Sequence, residues 1–113
     1  MSTMPMTMPI RACCPPLLAS PLAADEAEQL AAGFKVLSDP ARLQLLSLIA
    51  ARPDGACTCD LTEPVALAQP TVSHHLKVLL AAGLVTRERQ GQYTYYRVNP
   101  DRVAVLREAL DTS

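Results

Sequence analysis

The chain has 113 residues, which is room for one domain with a core of its own. Half of the residues are apolar, only 4% are aromatic and none is Trp, so the core must consist mainly of Leu, Val and Ala, a composition that favours helices. The sequence has no run of about 18 apolar residues, so no membrane span is expected. The N-terminus lacks the pattern of a secretory signal, and we therefore expect a cytoplasmic protein.

The net charge of −1 conceals an uneven distribution along the chain. Residues 1–69 have four basic and seven acidic side chains, a net charge of −3. Residues 70–97 have a net charge of +3, from four basic side chains and one acidic one: Lys77, Arg87, Arg89, Arg97 and Glu88. Such a basic zone is typical of a phosphate-binding surface, although an ordinary solvated face can have the same composition.

The first part of the chain divides into an arm and the start of a helical domain. Five prolines in residues 1–22 exclude a continuous helix, and we interpret this segment as a flexible arm ahead of a domain at residues 23–113. A first helix is predicted from Asp25, and Ser38-Asp39-Pro40 predicts the start of a second, densely apolar one. The apolar positions of the first helix are Leu30, Phe34 and Leu37.

Two short helices joined by a tight turn are predicted in the middle of the chain. Asp60 is positioned to cap the first helix, Pro70 opens the second, and Gly83 ends it. One apolar stripe runs along the second helix: Val72, Leu76, Leu79 and Leu80. This is the helix-turn-helix pattern, in which the second helix is the recognition helix.

A β-hairpin and a last helix complete the predicted fold. Residues 84–89 and 93–98 are rich in β-branched and aromatic side chains, and Gln90-Gly91-Gln92 between them predicts a turn. Asn99-Pro100-Asp101 opens the last helix, whose apolar positions are Val103, Val105, Leu106 and Leu110. The predicted fold class is mainly α with a β-hairpin, a winged helix-turn-helix.

Polar side chains on the recognition helix and the hairpin are the candidate DNA-binding groups. A recognition helix presents short polar side chains to base edges, and basic hairpin residues can contact the neighbouring phosphates. The candidates are Gln69, Thr71, Ser73, His74, His75, Lys77, Arg87, Arg89 and Gln92. Taken alone, the helix could also be a solvated amphipathic helix, and the basic hairpin that follows favours double-stranded DNA. Adjacent histidines diverge on a helix, so we favour DNA contact or packing over metal binding for these two.

Four cysteines occur in two close pairs, Cys13 with Cys14 and Cys57 with Cys59. In the cytoplasm such pairs are more often metal ligands or redox thiols than structural disulfides. Thiolates suit soft ions: Cd(II), Pb(II), Zn(II) and trivalent arsenic or antimony. On a regular helix Cys57 and Cys59 would point about 200° apart, so their sulfurs converge only on an extended or distorted segment. The alternative is that one or both are small buried apolar residues.

The segments LSDPARLQLLSLI, CTCDLTE, LAQPTVSHHLKVLLAAGLV and RERQGQYTYYRV resemble the ArsR/SmtB family of metal-sensing repressors. The resemblance covers residues 25–111, and the CTCDL box is similar to the arsenic- and cadmium-sensing branches. It implies a homodimer built on the first and last helices, which represses a resistance operon and leaves its operator DNA when an ion binds. The last helix contains Asp101, Glu108 and Asp111 but no His, which departs from the zinc-sensing branch.

The resemblance and the thiol chemistry together predict a metal site formed by Cys13, Cys14, Cys57 and Cys59. We favour As(III) or Sb(III) as the inducer, and we expect the arm to supply sulfurs to the site. In related cadmium sensors a similar arm crosses the dimer, so the site could belong to the other subunit. Cd(II) or Pb(II) bound by four cysteines is one alternative, and a repressor whose cysteine pairs oxidise is another. A thiol enzyme should place a low-pKa cysteine at a helix N-terminus or in a phosphate-cradling loop. We disfavour this class because neither pair lies in a Gly-rich or Arg-containing loop.

Overall fold

A computed structural model of the protein describes residues 20–110. The described residues belong to two compact units, 20–35 with 100–110 and 36–99. The elements in chain order are α1 (Ala24–Leu37), α2 (Pro40–Ala50), β1 (Ala56–Cys57), α3 (Thr58–Val65), α4 (Gln69–Ala81), β2 (Val85–Gln90), β3 (Tyr93–Val98) and α5 (Pro100–Ala109). None of the helices between residues 20 and 110 has the length and apolar character needed to cross a lipid bilayer.

The first unit is formed by α1 and α5. Asp25 and Glu26 lie in the first turn of α1, where the helix dipole favours negative charge. Gly33 of α1 lies against α5, since a Cβ atom at this position would be 2.9 Å from Leu106 Cδ2. The buried apolar side chains of this unit are Leu30, Val105, Leu106 and Ala109.

The second unit begins with the predicted break between α1 and α2. Asp39 has an extended backbone, and its Oδ1 accepts hydrogen bonds from the backbone N–H groups of Ala41 (2.8 Å) and Arg42 (3.3 Å). Pro40 occupies the first helical position, where its missing N–H costs nothing. The predicted helix start at Ser38-Asp39-Pro40 is therefore confirmed.

The core of the second unit lies where α2 packs against α3, α4 and β3. α4 also packs against α3 and β2, so the predicted apolar stripe faces the core. The largest fully buried side chains are Leu45, Ile49, Leu61, Val72, Leu76, Leu79, Leu84 and Val85. These residues confirm the expectation of an aliphatic core.

The sheet has three antiparallel strands in the order β1-β3-β2. We call the β2–β3 hairpin, residues 85–98, the wing. Gln90 pairs with Tyr93, so the loop consists of Gly91 and Gln92, with Gly91 at φ +66°. The predicted three-residue turn was therefore one residue too long, because Gln90 is the last residue of β2.

Strand β1 was not predicted from the sequence. It is two residues long, and Ala56 and Cys57 pair with Tyr96 and Tyr95 of β3. Helix α3 then starts directly at Thr58. Asp60 is the third residue of α3 and caps it from inside, because its Oδ2 accepts a hydrogen bond from the Cys57 N–H at 3.1 Å. The predicted cap uses the right residue, but the position was wrong by one helical turn.

Candidate functional site

Helices α3 and α4 form the helix-turn-helix of the second unit. α3 ends at Val65, and Ala66 follows in the left-handed conformation, with φ 56° and ψ 38°. This reversal lets α4 begin at Gln69 and pack against α3. The arrangement has the geometry in which the second helix is presented to DNA.

The outer face of α4 carries most of the predicted DNA-binding residues. Val72, Leu76 and Leu79 are buried, so the opposite side of the helix faces solvent. The exposed predicted residues on α4 are Gln69, Thr71, Ser73, His74 and Lys77. The structure thus brings five of the predicted side chains together on one accessible helix.

His75 differs from these five because it is only half exposed. Its Nδ1 atom is buried and has no hydrogen-bond partner among residues 20–110. Partial burial has the largest effect on the pKa of Asp39 and raises it, but other effects outweigh it. Hydrogen bonds from the Arg42 and Ala41 N–H groups, and the charges of His75 and Arg42, hold that pKa below its ordinary value of 3.8. His75 therefore interacts electrostatically with the start of α2.

The wing brings its predicted basic residues to one face. Arg87 pairs with Tyr96 and Arg89 with Thr94, and residues two apart on a strand share a face. Arg87, Arg89 and Thr94 line an open concavity of about 370 Å³. Gln92 is exposed in the loop at the wing tip. The two arginines and the tip are thus accessible from solvent.

The opposite face of the wing carries an ion pair that sequence reasoning missed. Arg97 Nη1 donates to Glu88 Oε1 at 2.7 Å, and Arg97 Nη2 donates to the Asp54 carbonyl oxygen at 2.9 Å. Strand alternation gave a signal for part of this pair, because Glu88 lies between Arg87 and Arg89 and must point to the other face. Arg97 and Asp54 are 43 residues apart in the sequence, so no local sequence pattern could predict their contact.

The thiol segment, residues 57–60, brings the two predicted cysteines of the second pair together. Cys57 has an extended backbone and Cys59 lies in the first turn of α3, so the regular helical divergence does not apply. Their Cα atoms are 5.3 Å apart, and the two sulfurs are bonded to each other in the structure. Cys57 is buried and Cys59 is exposed. The expected distorted segment with converging sulfurs is therefore present.

Asp60 joins the two cysteines in one donor cluster. A carboxylate oxygen of Asp60 and the sulfurs of Cys57 and Cys59 all lie within 4.8 Å of one another. Asp60 Oδ2 is also 3.8 Å from Arg52 Nη1, in the turn before β1. Reduced thiolates with a neighbouring carboxylate form a donor set that a soft or borderline cation can use. The sequence pattern predicts only a capping role for Asp60.

A cavity of about 270 Å³ lies beside the thiol segment. Its walls combine the thiol segment with elements that carry predicted DNA-binding residues. The lining residues are Cys57, Thr58, Cys59, Gln69, Gln92, Tyr93 and Thr94. Gln69 begins the recognition helix and Gln92 forms part of the wing tip, so both are neighbours of the thiols. The other predicted pair, Cys13 and Cys14, lies outside the described residues.

Known proteins are similar to this chain in sequence and in fold. Residues 39–87 match the family described as "Bacterial regulatory protein, arsR family". An arsenical resistance operon repressor of Staphylococcus xylosus is 38% identical over 84 residues, which is 74% of this chain and 79% of that protein. The chain belongs to the ArsR family. A putative arsenical resistance operon repressor of Halobacterium salinarum is 40% identical over 103 residues, 88% of this chain and 82% of that protein.

The solved structure of NolR from Sinorhizobium fredii shares the fold of this ArsR-family chain. It has 31% sequence identity and a TM-score of 0.67, covering 80% of this chain and 92% of that one. The winged helix-turn-helix predicted from the sequence is therefore confirmed. Because the ArsR relatives are DNA-binding transcriptional regulators, the prediction of a regulator and not a thiol enzyme is confirmed as well.

Proposed function

We propose that this ArsR-family protein binds operator DNA as a homodimer and leaves it when its cysteines capture trivalent arsenic or antimony. The observation that carries the proposal is the convergence of the Cys57 and Cys59 sulfurs at the start of α3. α3 is the first helix of the helix-turn-helix, so chemistry at this position acts next to the recognition helix.

The charge and exposure of α4 and the wing support the DNA-binding half of the proposal. Lys77, Arg87 and Arg89 are exposed basic residues, suited to phosphate contacts that position the protein. Ser73 and His74 are exposed polar residues on the recognition helix, suited to base edges. A homodimer would present two such helices to the two halves of a palindromic operator.

The number of available sulfurs supports a site shared with the N-terminal arm. Trivalent arsenic takes three sulfurs in a pyramid, whereas Cd(II) and Pb(II) would use four. The thiol segment supplies two, Cys57 and Cys59. In the proposal, Cys13 and Cys14 on the arm of residues 1–22 supply the remainder, from the same protomer or its partner. The names of the relatives favour arsenic, and Cd(II) or Pb(II) is the alternative inducer.

Ion capture releases DNA only if the ion binds one protein conformation better than another. An ion with equal affinity for the DNA-binding and the released conformation would shift nothing. The thiol segment can provide this difference, since Cys57 belongs to β1 and Cys59 to α3. Drawing both sulfurs onto one ion constrains the junction between these two elements.

A redox-sensing repressor is a second candidate function, favoured by the bond between the Cys57 and Cys59 sulfurs in the structure. In the oxidation that such a repressor would sense, a peroxide accepts two electrons from the Cys57 and Cys59 thiols. A disulfide forms, the peroxide O–O bond breaks, and the two thiol protons leave in water and an alcohol or a second water. In the cytoplasm, where we expect the protein, cellular thiols would reverse the reaction.

Operator binding by the full-length reduced protein tests these alternatives. The affinity for operator DNA is measured with and without arsenite, antimonite, Cd(II), Pb(II) and hydrogen peroxide. The proposal predicts release by arsenite and antimonite in the wild type and loss of release in Cys57→Ser and Cys59→Ser. A phosphine reductant separates the peroxide from the ions, because it reduces a Cys57–Cys59 disulfide and restores operator binding after peroxide, whereas it leaves ion-bound thiolates in place.

Thr58→Ser is the matched control, since it changes the residue between the two cysteines without removing a sulfur. We expect it to release operator DNA with arsenite as the wild type does. Normal release by arsenite in both cysteine variants would show that the proposed site is wrong. Release by Cd(II) and not by arsenite would assign the alternative inducer.

A further inference from the structure

We propose that Arg97 is the positioning residue through which the thiol segment moves the wing. This inference rests on the proposed function, because it concerns how ion capture at Cys57 reaches the DNA-binding surface. The wing then becomes a moving part of the switch together with the recognition helix. The connection runs through β1 and through the turn that precedes it, residues 51–55.

Cys57 is itself part of the sheet that contains the wing. It is the last residue of β1 and pairs with Tyr95 of β3, while Ala56 pairs with Tyr96. Ala56, Cys57 and Tyr96 are all buried, so this pairing is covered from solvent. A ligand that displaces the Cys57 sulfur therefore acts on a strand that is hydrogen-bonded to the wing.

Arg97 fastens the wing to the turn before the thiol segment. Its Nη2 donates to the Asp54 carbonyl oxygen at 2.9 Å, and its Nη1 donates to Glu88 Oε1 at 2.7 Å. One guanidinium thus links the turn, β3 and β2. A planar guanidinium bonds two acceptors in fixed directions, which an ammonium cannot reproduce.

The turn also packs closely against β3. Gly55 has φ +118°, and a Cβ atom there would be 3.1 Å from Tyr95 Cβ and 3.6 Å from Arg97 Cζ. The backbone of the turn therefore lies directly on the side chains of β3. Because little space separates them, a displacement of the turn must also displace these two residues.

Asp60 connects Cys57 to α3 by a hydrogen bond. Its carboxylate accepts the Cys57 N–H at 3.1 Å and lies 3.8 Å from the Arg52 guanidinium. Cys57 is thus connected to α3 through Asp60 and to the wing through β1 and the turn. Capture of an ion by the Cys57 and Cys59 sulfurs pulls on both connections. Arg87 and Arg89 lie on β2, the strand that Arg97 reaches through Glu88.

Arg97→Lys tests this connection in the reduced full-length protein, because lysine keeps the positive charge but lacks the planar guanidinium that donates to two acceptors at once. The measured quantity is the release factor, the operator dissociation constant with saturating arsenite divided by that without it. A coupled switch of ordinary strength has a release factor of about 5 to 150. We expect the release factor of Arg97→Lys to be about one fifth of the wild-type release factor, or lower. The arsenite affinity of the free variant should differ from that of the free wild type by less than about threefold.

Two further variants keep the test independent of folding defects. Arg107→Lys is the matched control, since Arg107 is an exposed residue of α5 paired with Glu108 at 3.6 Å. It should keep the wild-type release factor. Glu88→Gln removes the charge of one of the two Arg97 acceptors, although its amide oxygen can still accept a hydrogen bond, and it should lower the release factor less than Arg97→Lys does. Cooperative thermal unfolding of each variant verifies that it is folded.

Hydrogen exchange gives a readout that does not depend on DNA. Arsenite should change the protection of backbone amides at 85–98 in the wild type, whereas in Arg97→Lys the change at 85–98 should be smaller relative to the change at 57–65. Equal release factors in Arg97→Lys, Arg107→Lys and the wild type would overturn the role of Arg97. A wild type that binds arsenite and keeps its operator would instead contradict the proposed function.

Discussion

Alternation along β2 separates two roles of neighbouring residues. Arg87 and Arg89 share the face that is open to a ligand, and Glu88 between them points to the other face and pairs with Arg97. A basic strand can therefore present its charge to DNA while an internal ion pair holds it in place. The exposed ion pair adds little stability by itself, so its importance is positional.

Substitutions on α4 and the wing should fall into two classes. Lys77→Ala and Arg89→Ala each remove one proposed phosphate contact from both subunits of the dimer, so affinity should fall for any duplex and the salt-dependence slope should decrease by about 2. Ser73→Ala and His74→Ala should lower affinity for the operator more than for random DNA. Titrations at several salt concentrations measure both effects, and unchanged operator affinity in all four variants would contradict the proposed interface.

Asp39 should make the stability of the protein depend on pH in the acidic range. Its folded pKa lies below the ordinary 3.8, so the unfolded state binds the proton more readily. The stabilising contribution is therefore complete above that ordinary value and is lost as pH falls through the folded pKa. Unfolding of wild type and Asp39→Asn, compared from about pH 6 to about pH 2, should give a difference that narrows on acidification. A difference that widens would contradict the assignment.

At the scale of elements, the helices and the hairpin could be predicted because their signals are local. The Asp39-Pro40 start, the apolar stripe of α4 and the glycine of the wing loop each act within a few residues. Strand β1 could not be predicted, since two residues show no alternation and Ala56-Cys57 becomes a strand only by pairing with β3. The convergence of the cysteines was foreseen as a requirement, but the Asp60 oxygen beside them was not.

The wing loop provides a test of backbone strain alone. Gly91 has φ +66°, and a Cβ atom added there would meet nothing within 4 Å. Gly91→Ala should therefore destabilise the protein by about 1–2 kcal/mol through the left-handed conformation. Gly91→Asn should cost less, because asparagine adopts this conformation more readily. Chemical denaturation measures the free energy of unfolding of both variants and of the wild type. Equal free energies for Gly91→Ala and the wild type would contradict the left-handed conformation of Gly91.

At the scale of the whole molecule, the proposed dimer depends on the first and last helices. Of the apolar side chains predicted to pair across the dimer, Leu30 and Leu106 are already buried within one chain, and Leu110 is 53% exposed. Part of the predicted surface thus belongs to the protomer's own core. Leu110 is the side chain whose burial would gain most from a second copy.

Leu110→Glu should weaken self-association by at least about tenfold, since burying an unpaired carboxylate is unfavourable. Leu43→Glu is the matched control, because Leu43 on α2 is 51% exposed and lies outside the proposed interface. Sedimentation equilibrium at micromolar concentration compares the two variants. Equal dissociation of both variants, or a monomeric wild type that binds its operator tightly, would contradict the proposed dimer.

In the proposed switch, the thiol segment and the DNA-binding surface are energetically coupled. Coupling is reciprocal, so operator DNA must weaken arsenite binding by the same factor by which arsenite weakens operator binding. The decisive measurement is the arsenite affinity of the reduced protein, free and bound to its operator. We predict two equal factors, each above about 5, and an operator-release factor close to 1 in the Cys57→Ser/Cys59→Ser double variant. Equal arsenite affinity for the free and the operator-bound wild type would contradict the proposed coupling.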